Sequence, residues 1–569
     1  MGDEKQWKEY CATTIVPGLE VNKEIDVPYY HSLFLEAAHT AVARTPLMAY
    51  HSVKYWCHGM SYGAEVTSLP TCKGWVYKHY QGGTYIVPCI ITDEEEKRQR
   101  AVEFKKRVRP WVQDFDGMWA ERKKELRNNF EELKSFDMDN ALNSQIVMWI
   151  YRSLMAYARM WEIHMEVLQN CFSAYLLLSE LTKTRFGMPA TSPEFQKLLR
   201  GFDNKPFQVI KQLHELGETA RKEGLESVFV EYEPNEIIPK LKETETGSKW
   251  LGRFMEFLEV EGWWPVELME FNVPYWLEDP SIPLAIIKEN IVKKAEFTMV
   301  QLREKYAKER EEAIAKFLTM VPREEKEYFT EMLKLAGKAS MISEEHAYYC
   351  EYNYHSVLRY QYLRLARRLV KAGTMDNPDD IFMLNPEEIE SLVMVPEFND
   401  ARHLIKARRA LYEEWLKSPR EGIFTERPGG IEEAFGKDMV PSMDPIIISS
   451  AVGELPEPKT ELKADIYGVC GSAGDVEGVI RVISSQEEMN TVQKGEILVT
   501  VSTDSNWTPV FPIIKGIITD RGGLLSHAAI IGREFGVPAV VNTFVATQKL
   551  KTGQRIRLWA DEGAIFILE

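Results

Sequence analysis

Cysteine is scarce and never paired. The seven thiols, Cys11, Cys57, Cys72, Cys89, Cys171, Cys350 and Cys470, are odd in number and scattered, with no Cys-x-x-Cys anywhere. That excludes a disulfide framework and the common zinc and redox motifs, and it points to reduced thiols in a cytoplasmic protein. Positive charge is in deficit, with 69 Lys and Arg against 86 Asp and Glu and a net charge of −17. Such a surface repels a phosphate polymer, so no nucleic-acid partner is expected. Long clean apolar runs are missing too. The most apolar stretch, Ile146 to Leu178, is broken by Arg152, Arg159, Glu162, His164 and Glu166, each costly in hydrocarbon, and is expected to be a buried helix. The opening MGDEKQWKEY carries acids where a signal peptide needs bases, and Gln6 spoils a myristoylation pattern, so no membrane association is expected. What is present is 569 residues, 45% apolar and 27% charged. At roughly 150 residues per domain that is enough for about three or four units with ample core.

The predicted fold class is multidomain: a mainly α-helical N-terminal and central part, then a C-terminal α/β domain. Residues 1–91 read as a mixed, Gly-rich start with short strands. Residues 92–416 read as a helical domain, in which Thr92 and Glu95 suggest a capping box and Pro110 an interruption. Helices are expected over Ala141 to Phe186, closed by Gly187, over Pro283 to Ala339 with a break at Pro322, over Met341 to Lys371 and over Asp400 to Leu416. Residues 417–465 are rich in Pro and Gly and read as a connector, with its hinge expected at Glu454–Glu461. From 466 to 569 short β-type runs alternate with two helical patterns, Ser485–Val492 and Leu525–Phe535, as expected of a separate domain.

The densest chemical signal lies there, in Thr519-Asp-Arg-Gly-Gly-Leu-Leu-Ser-His527-Ala-Ala-Ile-Ile-Gly-Arg-Glu-Phe-Gly-Val-Pro538. A strand ends near Asp520, Gly522 and Gly523 allow a tight loop, and a helix begins near Ser526 with His527 in its first turn. Free N–H groups and the positive end of the helix dipole favour a phosphate on that imidazole. Histidine is also nucleophilic at neutral pH. From the residues alone two readings stand: a phosphohistidine, or a histidine that caps and packs.

The segments GVCGSAGDVEGVIRV, KGEILVTVSTDSNWTPVF and GIITDRGGLLSHAAIIGREFGVPAVV, spanning Gly468 to Leu568 in order, resemble the phosphohistidine swivelling domain of the phosphoenolpyruvate-utilising enzymes. That family includes pyruvate phosphate dikinase, phosphoenolpyruvate synthase, rifamycin phosphotransferase and phenylphosphate synthase. The resemblance implies that His527 carries the phosphoryl group, that Gly522, Gly523 and Ser526 form the phosphate loop, and that Thr503, Asp504 and Arg533 belong to supporting positions. Arg533, six residues after His527, points to a different helix face, where an interface contact is expected. Leu525 stands where several members have Thr, Gly532 where Ala is usual and Ala473 where Pro often follows the serine.

The dikinases place a barrel after this domain, whereas the sequence stops at Glu569, so no pyruvate site is expected. The rifamycin and phenylphosphate branches place a helical substrate domain before it, and Ser343 to Ile389 resembles the end of that domain. No P-loop or other Gly-rich phosphate cradle appears upstream. By resemblance to the phenylphosphate synthase branch, ATP and Mg2+ are expected on a separate ATP-grasp subunit, and none is expected to bind this chain tightly. The implied acceptor is a small hydroxyl-bearing substrate, phenol or a related hydroxyarene, with AMP and phosphate as by-products. The alternatives are a rifamycin-type antibiotic phosphotransferase split from its nucleotide module, and a non-catalytic scaffold of the same fold.

Acceptor-site candidates are Glu345 and His346, adjacent on a predicted helix, with Arg359 downstream and Asp379-Asp380 beyond it. Such a group suits proton acceptance from a hydroxyl and the holding of a phosphoryl group; an ordinary salt-bridged helix has the same composition. His51, His58 and His79 in the Gly-rich start are too loosely spaced for a metal, and no metal site is expected. Trp149, Tyr151, Tyr157 and Trp161 read as helical core rather than as the wall of a pocket.

Overall fold

The computed structural model describes residues 12–26, 33–35, 40, 42–70, 72–190, 192–293, 299–418, 462–483, 486–503, 507, 510–511, 513–523 and 526–568. Most of the expected connector, 419–461 with its hinge, lies outside the described residues, as does Asp504.

The chain opens with three antiparallel strands, β1 (Phe34–Leu35), β2 (Cys72–Tyr80) and β3 (Gly83–Ile90), in the order β1-β3-β2. Between β1 and β2 run helix α1 (Pro46–His51), a π-helical turn at Ser52–Trp56, and α2 (Cys57–Val66). α2 approaches a later helix so closely that a Cβ on Gly59 would stand 2.6 Å from the Trp161 carbonyl oxygen. Next come α3 (Glu94–Gln113) and α4 (Phe115–Ser135). The α3 cap is one residue later than the sequence suggests: the Asp93 side chain, not Thr92, accepts the Glu96 N–H at 2.7 Å. Pro110 is accommodated in the last turn, and the break falls at Asp114, which caps α4 through Gly117 N–H.

α5 (Asn143–Phe186) contains the most apolar run of the sequence. Trp149, Tyr157 and Trp161 are core, but Tyr151 is exposed and bonds Glu390, because it points to the polar face. No helix among the described residues is long and apolar enough to cross a membrane. After α5 come α6 (Lys205–Lys222), α7 (Glu245–Glu261), α8 (Ser281–Lys293), α9 (Met299–Met320) and α10 (Lys326–Ala347). The expected break at Pro322 is present. No new helix begins at Met341, because α10 runs straight through; its Gly337 is filled by the Phe202 ring rather than by a turn. A second π-helical turn, Tyr348–Tyr352, leads into α11 (Asn353–Ala372), which ends at left-handed Gly373. α12 (Pro386–Met394) and α13 (Arg402–Lys417) complete the helical part.

The C-terminal part is an eight-stranded sheet of β4 (Ile466–Tyr467), β5 (Val469–Ser472), β6 (Asp475–Val482), β7 (Ile497–Thr500), β8 (Gly516–Thr519), β9 (Ala539–Val541), β10 (Arg555–Trp559) and β11 (Ala564–Ile567), in the order β4-β11-β10-β6-β7-β8-β9-β5. Strands β6 to β9 are parallel neighbours, and β7 and β8 are buried at every residue, as parallel strands covered on both faces require. Ile480, Ile497, Val499, Ile518, Val540, Ile556 and Ile565 form the core. The run at Ser485–Val492 is a short 3-10 turn, Gln486–Thr491. The helical pattern at Leu525–Phe535 becomes α14 (His527–Phe535).

The residues fall into two compact units: 1–170, 267–274 and 349–443 in the first, and 171–266, 275–348 and 444–569 in the second. α5 contributes to both. The second unit joins the C-terminal sheet to central helices. Glu534 on α14 accepts the Phe202 N–H at 2.9 Å, and Gln196 accepts the Ala473 N–H at 2.7 Å.

Candidate functional site

Parallel strands deliver their carboxyl ends to one edge of a sheet, where loops meet. Thr500 ends β7 opposite Thr519, which ends β8. The pairing continues past the strands, with Asp520 N–H donating to Thr500 O at 3.1 Å and Arg521 N–H to Val501 O at 2.8 Å. The loop after β7 therefore reaches Thr503 just where the loop after β8 turns into α14. His527 Nδ1 lies 3.0 Å from Thr503 Oγ1. The Phe511 ring stands edge-on to the imidazole, with centroids 5.8 Å apart.

The loop is set by Gly522, whose φ of 117° suits glycine and where a Cβ would lie 2.7 Å from Ser526 Oγ. Ser526 occupies the N-cap position but does not cap its helix; its hydroxyl donates to Gly523 O at 2.8 Å. The N–H groups of the first turn are thus not taken by the cap side chain, and they collect beside His527. Asp520 fixes the loop from beneath: its carboxylate is buried and accepts Thr543 Oγ1 at 2.9 Å, Thr547 N–H at 3.2 Å and the Thr547 hydroxyl. The imidazole is half-buried, and burial lowers its pKa to about 3, so the ring is neutral and nucleophilic.

Gly522, Gly523, Ser526, His527 and Thr503 are thus brought together. Arg533 is not with them. It is buried on α14, and its guanidinium donates to Gly471 O at 3.0 Å, tying the helix to β5. Phe511 and Asp520 pack against or brace this loop as well and were not among the predicted site residues, although both lie within the segments that carried the resemblance.

The acceptor candidates lie elsewhere. Glu345 is half-buried and His346 buried near the end of α10. Arg359, on α11, is buried and donates to Phe271 O at 2.8 Å, so its guanidinium supports a backbone turn. Asp380 holds Arg409 at 2.6 Å and caps its own turn through Asn377 N–H at 3.0 Å. Of the three histidines in the Gly-rich start, His58 is exposed and pairs with Glu162 at 2.8 Å, and His79 Nε2 accepts the Gly82 N–H at 3.2 Å. His51 is wholly buried.

Comparison with known proteins matches residues 492–563 to the mobile domain of PEP-utilising enzymes and residues 164–344 to the fourth domain of rifampicin phosphotransferase. A phosphoenolpyruvate synthase of Aquifex aeolicus is 43% identical over 108 residues, 19% of this chain and 13% of that protein. A rifampicin phosphotransferase of Streptomyces sviceus is 26% identical over 340 residues, 59% of this chain and 36% of its own length. An uncharacterised phosphotransferase of Bacillus subtilis, YvkC, is 27% identical over 380 residues, 66% and 43% of the two chains. The chain spans less than half the length of each. The first match encloses the Gly522–His527 loop and α14, so the C-terminal domain is similar to the mobile domain of the phosphoenolpyruvate-utilising enzymes.

Proposed function

We propose that this chain carries a phosphoryl group on Nε2 of His527 and passes it to the hydroxyl of a small aromatic acceptor, phenol or a related hydroxyarene. The observation that carries the reading is the histidine in the first turn of α14, with Nδ1 engaged by Thr503 Oγ1 and a Gly-Gly loop beside it. The Thr503 hydroxyl can accept from Nδ1, and in the tautomer with the proton there the Nε2 lone pair is left to attack phosphorus. The first-turn N–H groups then bind the phosphoryl oxygens.

On this reading Mg2+ and ATP are handled by a separate ATP-grasp subunit, which phosphorylates His527 and releases AMP and phosphate. A covalent relay divides one hard transfer into two and keeps each away from water. Calorimetry of the pure chain with Mg-ATP should show no tight binding; tight binding would overturn the split. A second acceptor class, a rifamycin-type antibiotic, is favoured by the match of residues 164–344. The two acceptors are told apart by charging His527 and following 31P resonances with phenol or rifampicin added. An aryl phosphate from phenol supports the first reading, and a phosphorylated antibiotic supports the second. Turnover of neither, with His527 phosphorylated, excludes both acceptors, whereas a His527 that is never phosphorylated supports the scaffold.

A further inference from the structure

We propose that His51 is the base of the acceptor site: its Nε2 takes the proton of the acceptor hydroxyl as the phosphoryl group arrives, while Lys54 steadies the phosphoryl oxygens. The proposal rests on the reading of the chain as a phosphotransferase for hydroxyarenes and adds where, within the first unit, the acceptor binds.

His51 closes α1, and its Nδ1 lies 2.8 Å from the Leu47 carbonyl oxygen. A carbonyl only accepts, so Nδ1 donates and the lone pair is on Nε2. That atom is buried without a hydrogen-bond partner, on a residue with 0% exposure. A buried polar atom left unpaired is costly, and a native fold that keeps one invites a functional explanation.

The surroundings are aromatic. Tyr157 and Phe271 stand edge-on to the imidazole at 5.1 and 5.0 Å, and Tyr362 at 6.3 Å. These three rings are wholly buried, whereas Tyr55, at 5.8 Å, is half-buried and marks the way in from solvent. Tyr55 lies on the π-helical turn that directly follows His51, and such turns concentrate at functional sites. Lys54 is on the same turn. Its Nζ is 2.5 Å from the Tyr50 hydroxyl and 3.1 Å from Glu387, and its side chain is partly exposed.

The walls are pinned. The Glu270 carboxylate accepts Thr45 N–H at 2.8 Å and Thr45 Oγ1 at 2.6 Å, fixing the start of α1, and Phe271 N–H at 2.7 Å, fixing the ring that faces His51. A second buried histidine shows what a satisfied ring looks like here. His355 Nδ1 donates to Glu351 O at 2.6 Å, and its Nε2 accepts the Tyr157 hydroxyl at 3.0 Å.

In the transfer, the N–P bond to Nε2 of His527 breaks and its electron pair stays on that nitrogen, while Nδ1 keeps its proton, so His527 leaves as neutral imidazole. A P–O bond forms to the acceptor, whose proton passes to Nε2 of His51 and later to solvent. Burial holds the His51 pKa near 3, with the positive charge of Lys54 acting in the same direction, so the lone pair is available before reaction. A phosphoryl dianion brought alongside favours the protonated ring and raises its basicity when the proton must move.

The test uses the full chain charged at histidine with phosphoramidate, and two acceptors, phenol and 4-nitrophenol at a pH where the latter is ionised. His51→Asn should slow transfer to phenol by on the order of 10²–10⁴ and transfer to the nitrophenolate, which has no proton to lose, by less than about tenfold. Equal losses with both acceptors would make His51 a packing residue and overturn the proposal. Should the variant not fold, wild-type chain labelled with 15N-histidine is titrated with phenol. The His51 Nε2 resonance should move as phenol binds, and a resonance that stays fixed while phenol is phosphorylated overturns the assignment. A charged wild type that transfers to neither phenol overturns the hydroxyarene reading itself, and the His51 assignment with it.

Discussion

The loop around His527 and the ring cluster around His51 hold a histidine in the same way and surround it differently. In each, Nδ1 is engaged and burial lowers the pKa to about 3, which leaves a neutral ring; on the proposed readings Nε2 is the atom that reacts. His527 is half-buried on a short loop between a strand end and a helix, within reach of backbone donors. His51 is wholly buried among rings drawn from α1 and its π turn, α5, the 267–274 segment and α11. Backbone N–H groups suit an anion; dry aromatic walls with one lone pair suit a neutral arene with one proton to give. On the proposed reading the first region would hold the phosphoryl group and the second would receive its acceptor.

The comparison can be broken or sharpened by substitution. The largest expected effect is Phe271→Ala, which opens a cavity in the ring cluster and should cost about 3–5 kcal/mol of stability on denaturant unfolding. It should leave His527 phosphorylation unchanged, and a matching loss of phosphorylation would show that the two regions are not separable. Next is Gly522→Ala, where φ of 117° and a Cβ contact with Ser526 Oγ at 2.7 Å strain the loop by about 1–3 kcal/mol. Here phosphorylation should fall, and the unfolding midpoint should shift by less than in Phe271→Ala.

Thr503→Val removes the hydroxyl at Nδ1 and is worth about 0.5–1.5 kcal/mol, or roughly tenfold in the rate of His527 phosphorylation. A separate effect, read in the pH dependence of stability, concerns Glu534, whose pKa burial raises to about 7 although it accepts the Phe202 N–H. A carboxyl whose folded pKa lies above its unfolded value stabilises the fold in acid, and that contribution is lost as pH climbs from about 4.5 to 7. Glu534→Gln keeps an acceptor and removes the titration, so unfolding midpoints measured across that window should vary less with pH than in the wild type.

What the sequence made legible follows the same division. Strands β8, β9 and β10 were readable to the residue, because each is a short apolar run between turn residues. The phosphate loop was readable because its glycines, serine and histidine are contiguous. β5, Val469–Ser472, was not, since a Cys-Gly pair in a four-residue edge strand carries no alternating signal. The cap of α3 moved from Thr92 to Asp93 because adjacent oxygen-bearing residues satisfy the same pattern. The His51 cluster was hidden most fully. Its rings are more than 300 residues apart between His51 and Tyr362, and Tyr157 alone looks like ordinary core. Only the fold puts an unpaired lone pair at their centre.

The central claim is that His527 is the phosphoryl carrier, and the most direct measurement is the fate of label from β-32P-ATP given to this chain with the proposed ATP-grasp partner. Label should appear on this chain as an acid-labile, base-stable adduct, map to the peptide containing His527, and vanish in His527→Ala. Label that persists in that variant, or that maps to another residue, would contradict the account.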